Sequence, residues 1–212
     1  MDIVADEIEV AGAHGPLLRP TSLRVENGRA QLVPGIHGPG LTSLALVLSG
    51  RLRPSAGRVL LDGRDDPKAL RRRVAVVDAP EVTAPEDAVP VRDVVAEGLS
   101  IAGRRSGRRA VRAWLADRGA DQHAGERTEN LPPQVRTRLL VDLAVASRQV
   151  SALVLDSPDR HGGDPHDWFA LARREADRGM AVVALCEPHA HGLLAPARQQ
   201  LSTADTNTGG AP

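Results

Sequence analysis

The stretch LVPGIHGPGLTSLALVL, residues 32–48, decides the fold. A short apolar segment leads into a glycine-rich loop, and the loop leads into an apolar run of helical length. Phosphate-binding loops lie between a strand and a helix and have the pattern G-x-x-x-x-G-K-[ST]. The positions that fit are Gly35, Gly38, Gly40 and Thr42. Leu41 stands where the pattern has lysine, so this is either a nucleotide site that has lost a cation or a glycine-rich turn.

Composition narrows the classes of protein that this chain can represent. At 212 residues with 42% hydrophobic and 25% charged residues, it suits one soluble globular domain with room for an inserted subdomain. The formal net charge is zero, and the aromatic residues are only Trp114, Trp168 and Phe169, so we expect no nucleic-acid partner. Lys68 is the single lysine, and therefore no other lysine can replace the missing one.

Several features predict a cytoplasmic protein. The single cysteine, Cys186, cannot form an internal disulfide and fits a reducing compartment. The acidic start, residues 1–10, lacks a signal-peptide pattern, and no apolar run approaches the roughly 20 residues of a membrane span. The polar end, residues 201–212, is expected to be disordered.

Strands and helices alternate along the chain. Buried strands are predicted at VAVVD, ALVLD and MAVVALC, and helices at Val135–Gln149 and from near Asp167. Apolar strands alternating with helices favour an α/β fold with a parallel sheet covered on both faces. The stretch between residues 90 and 126 is helical in pattern and rich in arginine, which predicts a helical insert.

An ordered series of further segments resembles the ATP-binding subunits of ABC transporters. The segments are SGRLRPSAGRVLLDGRD, RRRVAVVDAPE, PVRDVVAEG, LPPQVRTRLLVDLAVA, ALVLDSPDRHGGDP and MAVVALCEP. They follow the glycine loop in the family's order and cover roughly residues 5–190. The resemblance implies a P-loop NTPase fold of ABC-ATPase type, with a nucleotide-binding domain at 1–200 and a helical subdomain at about 85–134.

The resemblance also implies a site for ATP and Mg²⁺. Nucleotide-binding positions carried over from the family are Gly35, His37, Gly38, Gly40, Leu41, Thr42 and Ser43. Glycines of such a loop turn backbone N–H groups toward phosphate at a helix N-terminus. Thr42 and Asp156 match the residues that hold the metal ion, so we expect the metal site to be retained.

Other positions of the family pattern are substituted. Ser157 occupies the position of the catalytic glutamate, and Glu187 that of the switch histidine. Ala79 occupies the position of the family's glutamine loop. In the family's signature motif, Pro132 and Pro133 remove backbone hydrogen-bond donors. We therefore expect ATP binding to be weak or lost and hydrolysis to be impaired, with no confident catalytic residue.

Several assignments stay open. His189 lies two positions beyond Glu187, so a shift of the loop could still supply an imidazole, and His14 is a candidate for adenine stacking or a solvated histidine. Asp159 and Asp164 are expected to cap a turn or a helix rather than to act in catalysis. The arginine run, residues 103–114, is either a solvated basic face or a docking patch for an acidic loop or anionic lipid.

The expected partners follow from the resemblance. They are a membrane permease subunit and a second ABC ATPase chain, in a homodimer or a heterodimer, at the inner face of the cell membrane. One alternative is an active ABC-type ATPase that uses Thr42, Asp156 and His189. Another is a soluble scaffold that kept the fold but has no role in transport.

Overall fold

A four-stranded parallel sheet forms the centre of the computed structural model, which describes residues 1–194. Its strands are β3 (Arg29–Pro34), β5 (Val74–Val77), β6 (Ala152–Asp156) and β7 (Ala181–Cys186), in the order β3-β7-β6-β5. Every residue of β6 and β7 is buried. Unbroken apolar runs are expected for strands that are covered on both faces, so the predicted parallel sheet is confirmed.

A second sheet extends the predicted architecture. It is antiparallel, in the order β2-β1-β4, and consists of β1 (Asp2–Gly12), β2 (Gly15–Glu26) and β4 (Ala56–Leu61). The sequence analysis did not predict this separate sheet. Only two residues connect β1 to β2, and a connection this short joins antiparallel neighbours, because parallel strands need a crossover of a dozen residues or more.

Helices cover both faces of the parallel sheet. Helix α1 (Pro39–Leu48) lies between the two sheets, where Leu44 and Leu48 join one apolar cluster with residues of both. The helices α5 (Pro133–Ala144) and α6 (Pro165–Asp177) pack on the opposite face through a second apolar cluster. A short helix, α2 (Pro67–Arg73), leads directly into β5.

The remaining helices have a cluster of their own. The helices α3 (Val91–Ile101) and α4 (Arg108–Ala116) pack with α5 through Val95, Leu115 and Leu139, among others. Two 3₁₀ turns, Asp121–His123 and Thr128–Asn130, connect α4 to α5. These elements lie in the part of the chain for which the sequence predicted a helical subdomain, and the boundary at about 85–134 stays a prediction.

Two helix starts differ from the prediction, and proline is the reason in both cases. Helix α5 begins at Pro133 rather than Val135 and ends at Ala144, and α6 begins at Pro165 rather than near Asp167. Proline is favoured in the first turn because its fixed φ suits the helix and its missing N–H would have had no helical partner. As expected, Asp164 caps α6, since its side chain accepts a hydrogen bond from the His166 amide.

No helix within residues 1–194 combines the length and the apolar character needed to cross a bilayer. The expected disordered tail, residues 201–212, lies outside the described residues.

Candidate functional site

The glycine loop joins β3 to α1, as a phosphate loop requires. Gly38 has φ 141°, a left-handed conformation that residues with a side chain rarely adopt, and it forms the N-cap of α1. Gly40 has no room for a side chain, because an added Cβ would lie 2.7 Å from the Leu17 carbonyl oxygen. The first turn of a helix leaves N–H groups without helical partners, and this loop therefore retains the backbone of an anion site.

Leu41 packs in the apolar core and offers no charged group where the motif has lysine. Its side chain is 6% exposed and belongs to the apolar cluster between the two sheets. A Cβ on Gly35 would lie 2.5 Å from Leu41 Cδ2, so the leucine lies against the start of the loop. The lysine position is thus part of the hydrophobic core, and Lys68 lies on a different helix, α2.

The two predicted metal residues are in direct contact. Thr42 Oγ1, on α1, donates a hydrogen bond of 2.7 Å to Asp156 Oδ2, at the end of β6. The other carboxylate oxygen, Asp156 Oδ1, accepts a 2.9 Å hydrogen bond from Ser157 Oγ. A hydroxyl beside a carboxylate is a hard oxygen donor set of the kind that Mg²⁺ prefers, so these residues fit the ion. Asp156 is buried, and its hydrogen bond with Thr42 joins the first turn of α1 to the end of β6.

The position of the catalytic glutamate provides no base. Ser157 is buried at 2% exposure, and its hydroxyl is committed to Asp156. It also has φ 54°, a left-handed conformation that is uncommon for residues other than glycine. A hydroxyl with an ordinary alcohol's acidity does not accept a proton from water as a carboxylate does. The structure thus offers no general base at this position.

Glu187, at the position of the switch histidine, contacts the glycine loop. Glu187 Oε1 lies 3.3 Å from His37 Nδ1, and the other ring nitrogen, His37 Nε2, lies 3.0 Å from Asp159 Oδ1. The Glu187 amide donates to Asp159 Oδ2 over 2.9 Å. We call His37, Asp159 and Glu187 the His37 triad. His189, the alternative imidazole, is exposed and is not part of the triad.

The sequence did not predict the triad, because Asp159 was expected only as a cap. One signal could have indicated it. His37 follows β3, Glu187 follows β7 and Asp159 follows β6, and these three strands are neighbours in the parallel sheet. Carboxyl ends of parallel strands meet at one edge, where ligands of open α/β sheets bind. The strand order was the missing information.

A second charged group lies at the end of β5. Arg136, on α5, donates two hydrogen bonds to Asp78, of 3.0 Å from Nε and 2.8 Å from Nη2. His161 Nε2 lies 3.2 Å from Asp78 Oδ2, and Arg160 donates to the Asp78 carbonyl oxygen. Burial raises the pKa of Asp78, but the hydrogen bonds from His161 and Arg136 outweigh burial and hold that pKa at about 2. The carboxylate is therefore charged at neutral pH.

The glutamine-loop and signature positions have structural roles in this chain. Ala79 is fully buried and its amide donates to Thr83 Oγ1 over 3.0 Å, so its side chain offers no polar group to a ligand. Pro132 is the N-cap of α5 and Pro133 its first residue. Without amide hydrogens, neither proline can donate a backbone hydrogen bond to a nucleotide held by a second chain.

The remaining candidates lie on the surface, with the exception of Ser43. His14 occupies the two-residue turn between β1 and β2 and is exposed, while Ser43 is buried within α1. Four arginines of the arginine run are exposed, and their side chains have no hydrogen bond or ion pair with any residue of 1–194: Arg104, Arg105, Arg108 and Arg109. No acidic side chain among the described residues pairs with these arginines, so they form a basic surface before and at the start of α4.

Two known proteins show how far sequence similarity extends. The hemin import ATP-binding protein HmuV of Pseudomonas entomophila is 33% identical over 198 residues, which cover 84% of this chain and 76% of that protein. The cytochrome c biogenesis ATP-binding export protein CcmA of Alkalilimnicola ehrlichii is 28% identical over 193 residues, 87% of this chain and 80% of that protein. No protein-family model matches the sequence.

Solved structures show the same fold. The structure of an ATP-binding subunit of an ABC transporter has a TM-score of 0.64 at 15% identity and covers 94% of this chain and 82% of that one. An ATP-binding cassette of an ABC transporter in its ADP conformation has a TM-score of 0.65 at 17% identity, with 88% and 82% covered. This likeness confirms the predicted P-loop NTPase fold of ABC-ATPase type.

Proposed function

Since this chain belongs to the ATP-binding subunits of ABC transporters, as its motifs predicted, we propose that it binds Mg·ATP weakly and hydrolyses it poorly or not at all. Its role is then that of a structural or regulatory partner of a membrane permease. One observation carries the proposal: the Thr42–Asp156 contact is retained, whereas the position of the lysine is buried apolar core.

Weak binding is supported by the charges around the loop. A lysine would contribute charge-assisted hydrogen bonds worth about 1.5–3 kcal/mol, and Leu41 contributes none. Asp159 and Glu187 add two carboxylates within 3.3 Å of His37 in the loop itself. Two like charges about 5 Å apart repel by roughly 3 kcal/mol at an effective dielectric constant near 20. Mg²⁺ held by Thr42 and Asp156 offsets part of this cost.

Poor hydrolysis is supported by the group at Ser157. A positioned general base typically accelerates proton transfer by about 10²–10⁴-fold, and the Ser157 hydroxyl is already bonded to Asp156. Pro132 and Pro133 also lack the backbone donors that a partner chain's nucleotide would need.

The test of binding is a calorimetric titration with ATP, performed with and without Mg²⁺. We expect a dissociation constant in the high-micromolar range or poorer. Binding should weaken further in Asp156→Ala and in Thr42→Val, which remove the proposed metal ligands on β6 and on α1. Asp164→Ala is the matched control, because Asp164 is an exposed carboxylate that caps α6. Nanomolar binding, or binding that ignores Mg²⁺, contradicts the proposal.

The test of catalysis is the rate of phosphate release. A turnover on the order of 1 s⁻¹ or faster lies within the usual range of enzymes and would contradict the proposal. The protein would then be an active ATPase that uses Thr42, Asp156 and His189. In that case His189→Ala abolishes the turnover, whereas our proposal expects the variant to match the wild type.

Docking to a permease is supported by a partly apolar groove between the segment after β5 and the helices α3 and α5. The groove has a volume of about 520 Å³ and is lined by Val82 and Ile101, which are 49% and 81% exposed. Large apolar side chains left exposed in one groove are typical of interaction surfaces. A subunit bound there lies at the inner face of the membrane, as a homodimer or with another ABC ATPase.

The docking test compares the membrane and soluble fractions of cells that express the protein. We expect Val82→Ser and Ile101→Ser to shift the protein toward the soluble fraction. Leu193→Ser is the control, because Leu193 is 46% exposed and lies outside the groove. A protein that stays soluble in every form, wild type included, favours the scaffold without a transport role. Sedimentation velocity with and without Mg·ATP tests the dimer.

A further inference from the structure

We propose that the His37 triad binds a divalent transition-metal ion of the Zn²⁺ class. One ring nitrogen of His37 and one carboxylate oxygen each from Asp159 and Glu187 lie within 4.8 Å of one another. This site differs in residues and in donor chemistry from the Thr42–Asp156 pair. It goes beyond the proposed function, because it requires no nucleotide.

The distances suit a small ion after a minor side-chain adjustment. Zn²⁺ lies about 2.0–2.2 Å from nitrogen and carboxylate oxygen in tetrahedral sites, which places neighbouring ligand atoms roughly 3.3 Å apart. His37 Nε2 and Asp159 Oδ1 are 3.0 Å apart, which matches the spacing of two ligand atoms on one ion. Glu187 Oε1 lies 3.3 Å from the other ring nitrogen, Nδ1, so Glu187 reaches the same ion only after its side chain rotates. Glu187 is 47% exposed, so its side chain is free to rotate toward the ring nitrogen that binds the ion.

A backbone hydrogen bond orients one of the three ligands, Asp159. The Glu187 amide donates to Asp159 Oδ2, which leaves Oδ1 directed at His37. A hydrogen bond to the second oxygen of a ligating carboxylate fixes its direction and raises metal affinity. The ligands follow three neighbouring strands, β3, β7 and β6, so the rigid edge of the parallel sheet sets their spacing.

The donor set selects among ions. An imidazole nitrogen suits Zn²⁺ and other first-row transition metals, whereas Mg²⁺ prefers oxygen donors alone. With three protein ligands and a half-exposed side, the site leaves a fourth position for water. The ion also neutralises two carboxylates that otherwise lie beside the glycine loop, and so places positive charge near the position where Leu41 supplies none.

The experiment is a calorimetric titration of tag-free protein with ZnCl₂, in the absence of nucleotide. We expect one ion per chain with micromolar or tighter affinity, unaffected by an equal concentration of Mg²⁺. His37→Asn, Asp159→Asn and Glu187→Gln should each weaken binding by more than about tenfold, since even outer partners of a metal site contribute 10–100-fold. X-ray absorption of the Zn²⁺-loaded protein should show a single imidazole ligand.

The matched control is His166→Asn. His166 Nδ1 lies 2.8 Å from Asp164 Oδ1, so this is another histidine–aspartate pair, but it is exposed and has no third ligand among residues 1–194. Its Zn²⁺ affinity should equal that of the wild type. Glu187→Gln changes a half-exposed side chain, so we expect this variant to fold as the wild type does. The melting temperature of the variant without metal checks this.

Two results overturn the inference: wild-type protein that binds no Zn²⁺, and triad variants that bind it as tightly as the wild type. In the first case the triad is only a hydrogen-bonded contact that joins the glycine loop to the ends of β6 and β7. Because the titration contains no nucleotide, a failure here leaves the proposed weak Mg·ATP binding untouched, and the reverse also holds.

Discussion

Arg136 and Asp78 form a two-pronged ion pair that joins helix α5 to the end of strand β5. They are 58 residues apart in the chain, and their side chains are only 4% and 7% exposed. Arg136 is thus held by the edge of the parallel sheet, while the same helix packs with α3 and α4 through Leu139 and Leu143. The pair therefore fixes the helices α3 to α5 relative to strand β5 of the parallel sheet.

Replacing Arg136 with leucine should destabilise the protein strongly. The change leaves the Asp78 carboxylate buried with only His161 beside it, and removing one partner of a buried ion pair costs about 3–5 kcal/mol. Chemical denaturation measures the difference. Arg138→Leu is the control on the same helix, because Arg138 is only partly buried and has no ion pair within residues 1–194. Equal losses in the two variants would show that the pair contributes little.

The stability of the protein should depend on the protonation of Asp78. Its pKa is about 2 in the folded protein, below the ordinary value of 3.8, so the carboxylate stabilises the fold above pH 4. This contribution, about 2 kcal/mol, is lost as the pH falls from about 4 through 2. Unfolding curves between pH 7 and 2 should show a steeper loss for the wild type than for Asp78→Asn. Parallel curves for the two proteins would refute the assignment.

Changing Leu41 to lysine should have two opposite effects. We expect Mg·ATP affinity to rise about ten- to a hundredfold, because an ammonium group next to the β- and γ-phosphates adds about 1.5–3 kcal/mol. The melting temperature without nucleotide should fall, since the side chain at this position is buried in the apolar cluster between the sheets.

Phosphate release from Leu41→Lys should stay far below 1 s⁻¹, a modest rate for an enzyme, because Ser157 and Glu187 remain unchanged and catalytic groups act as a unit. Leu41→Met is the control, as it preserves volume without adding charge. Efficient turnover in the lysine variant would mean that the other two positions are misassigned.

Removing the free arginines before and within α4 should weaken association with membranes. The variant replaces four residues with serine: Arg104, Arg105, Arg108 and Arg109. Each arginine near an anionic surface contributes about 1 kcal/mol, so binding to vesicles that contain anionic lipid should fall by well over tenfold. Surface substitutions shift stability by less than about 0.5 kcal/mol each, so the melting temperature should stay nearly unchanged.

The control for this variant removes the same charge elsewhere, at Arg19, Arg53, Arg64 and Arg72, which are also exposed. If both variants bind anionic vesicles equally, the arginine run is a solvated basic face. Vesicles without anionic lipid should bind neither the wild type nor the variants.

Sequence motifs alone indicated the fold family and the Thr42–Asp156 pair, but not the contacts of His37 with Asp159 and Glu187. Apolar runs such as ALVLD and MAVVALC require burial on both faces, and Gly38 must be glycine because its φ is left-handed. Thr42 and Asp156 could be paired in advance because the motif specifies both positions, and they lie in hydrogen-bond contact. Local patterns of hydrophobicity suffice for the buried strands, and the resemblance to ABC transporter ATP-binding subunits supplied the fold family and the Thr42–Asp156 pair.

Only the tertiary structure decided which distant residues meet. The strand order β3-β7-β6 brings His37, Glu187 and Asp159 to one edge of the sheet, and the packing of α5 on β5 brings Arg136 to Asp78. Whether Leu41 faces solvent or core also depends on the antiparallel sheet above α1. His37 and Asp159 are 122 positions apart, and such contacts depend on strand pairing and burial, which no local pattern encodes.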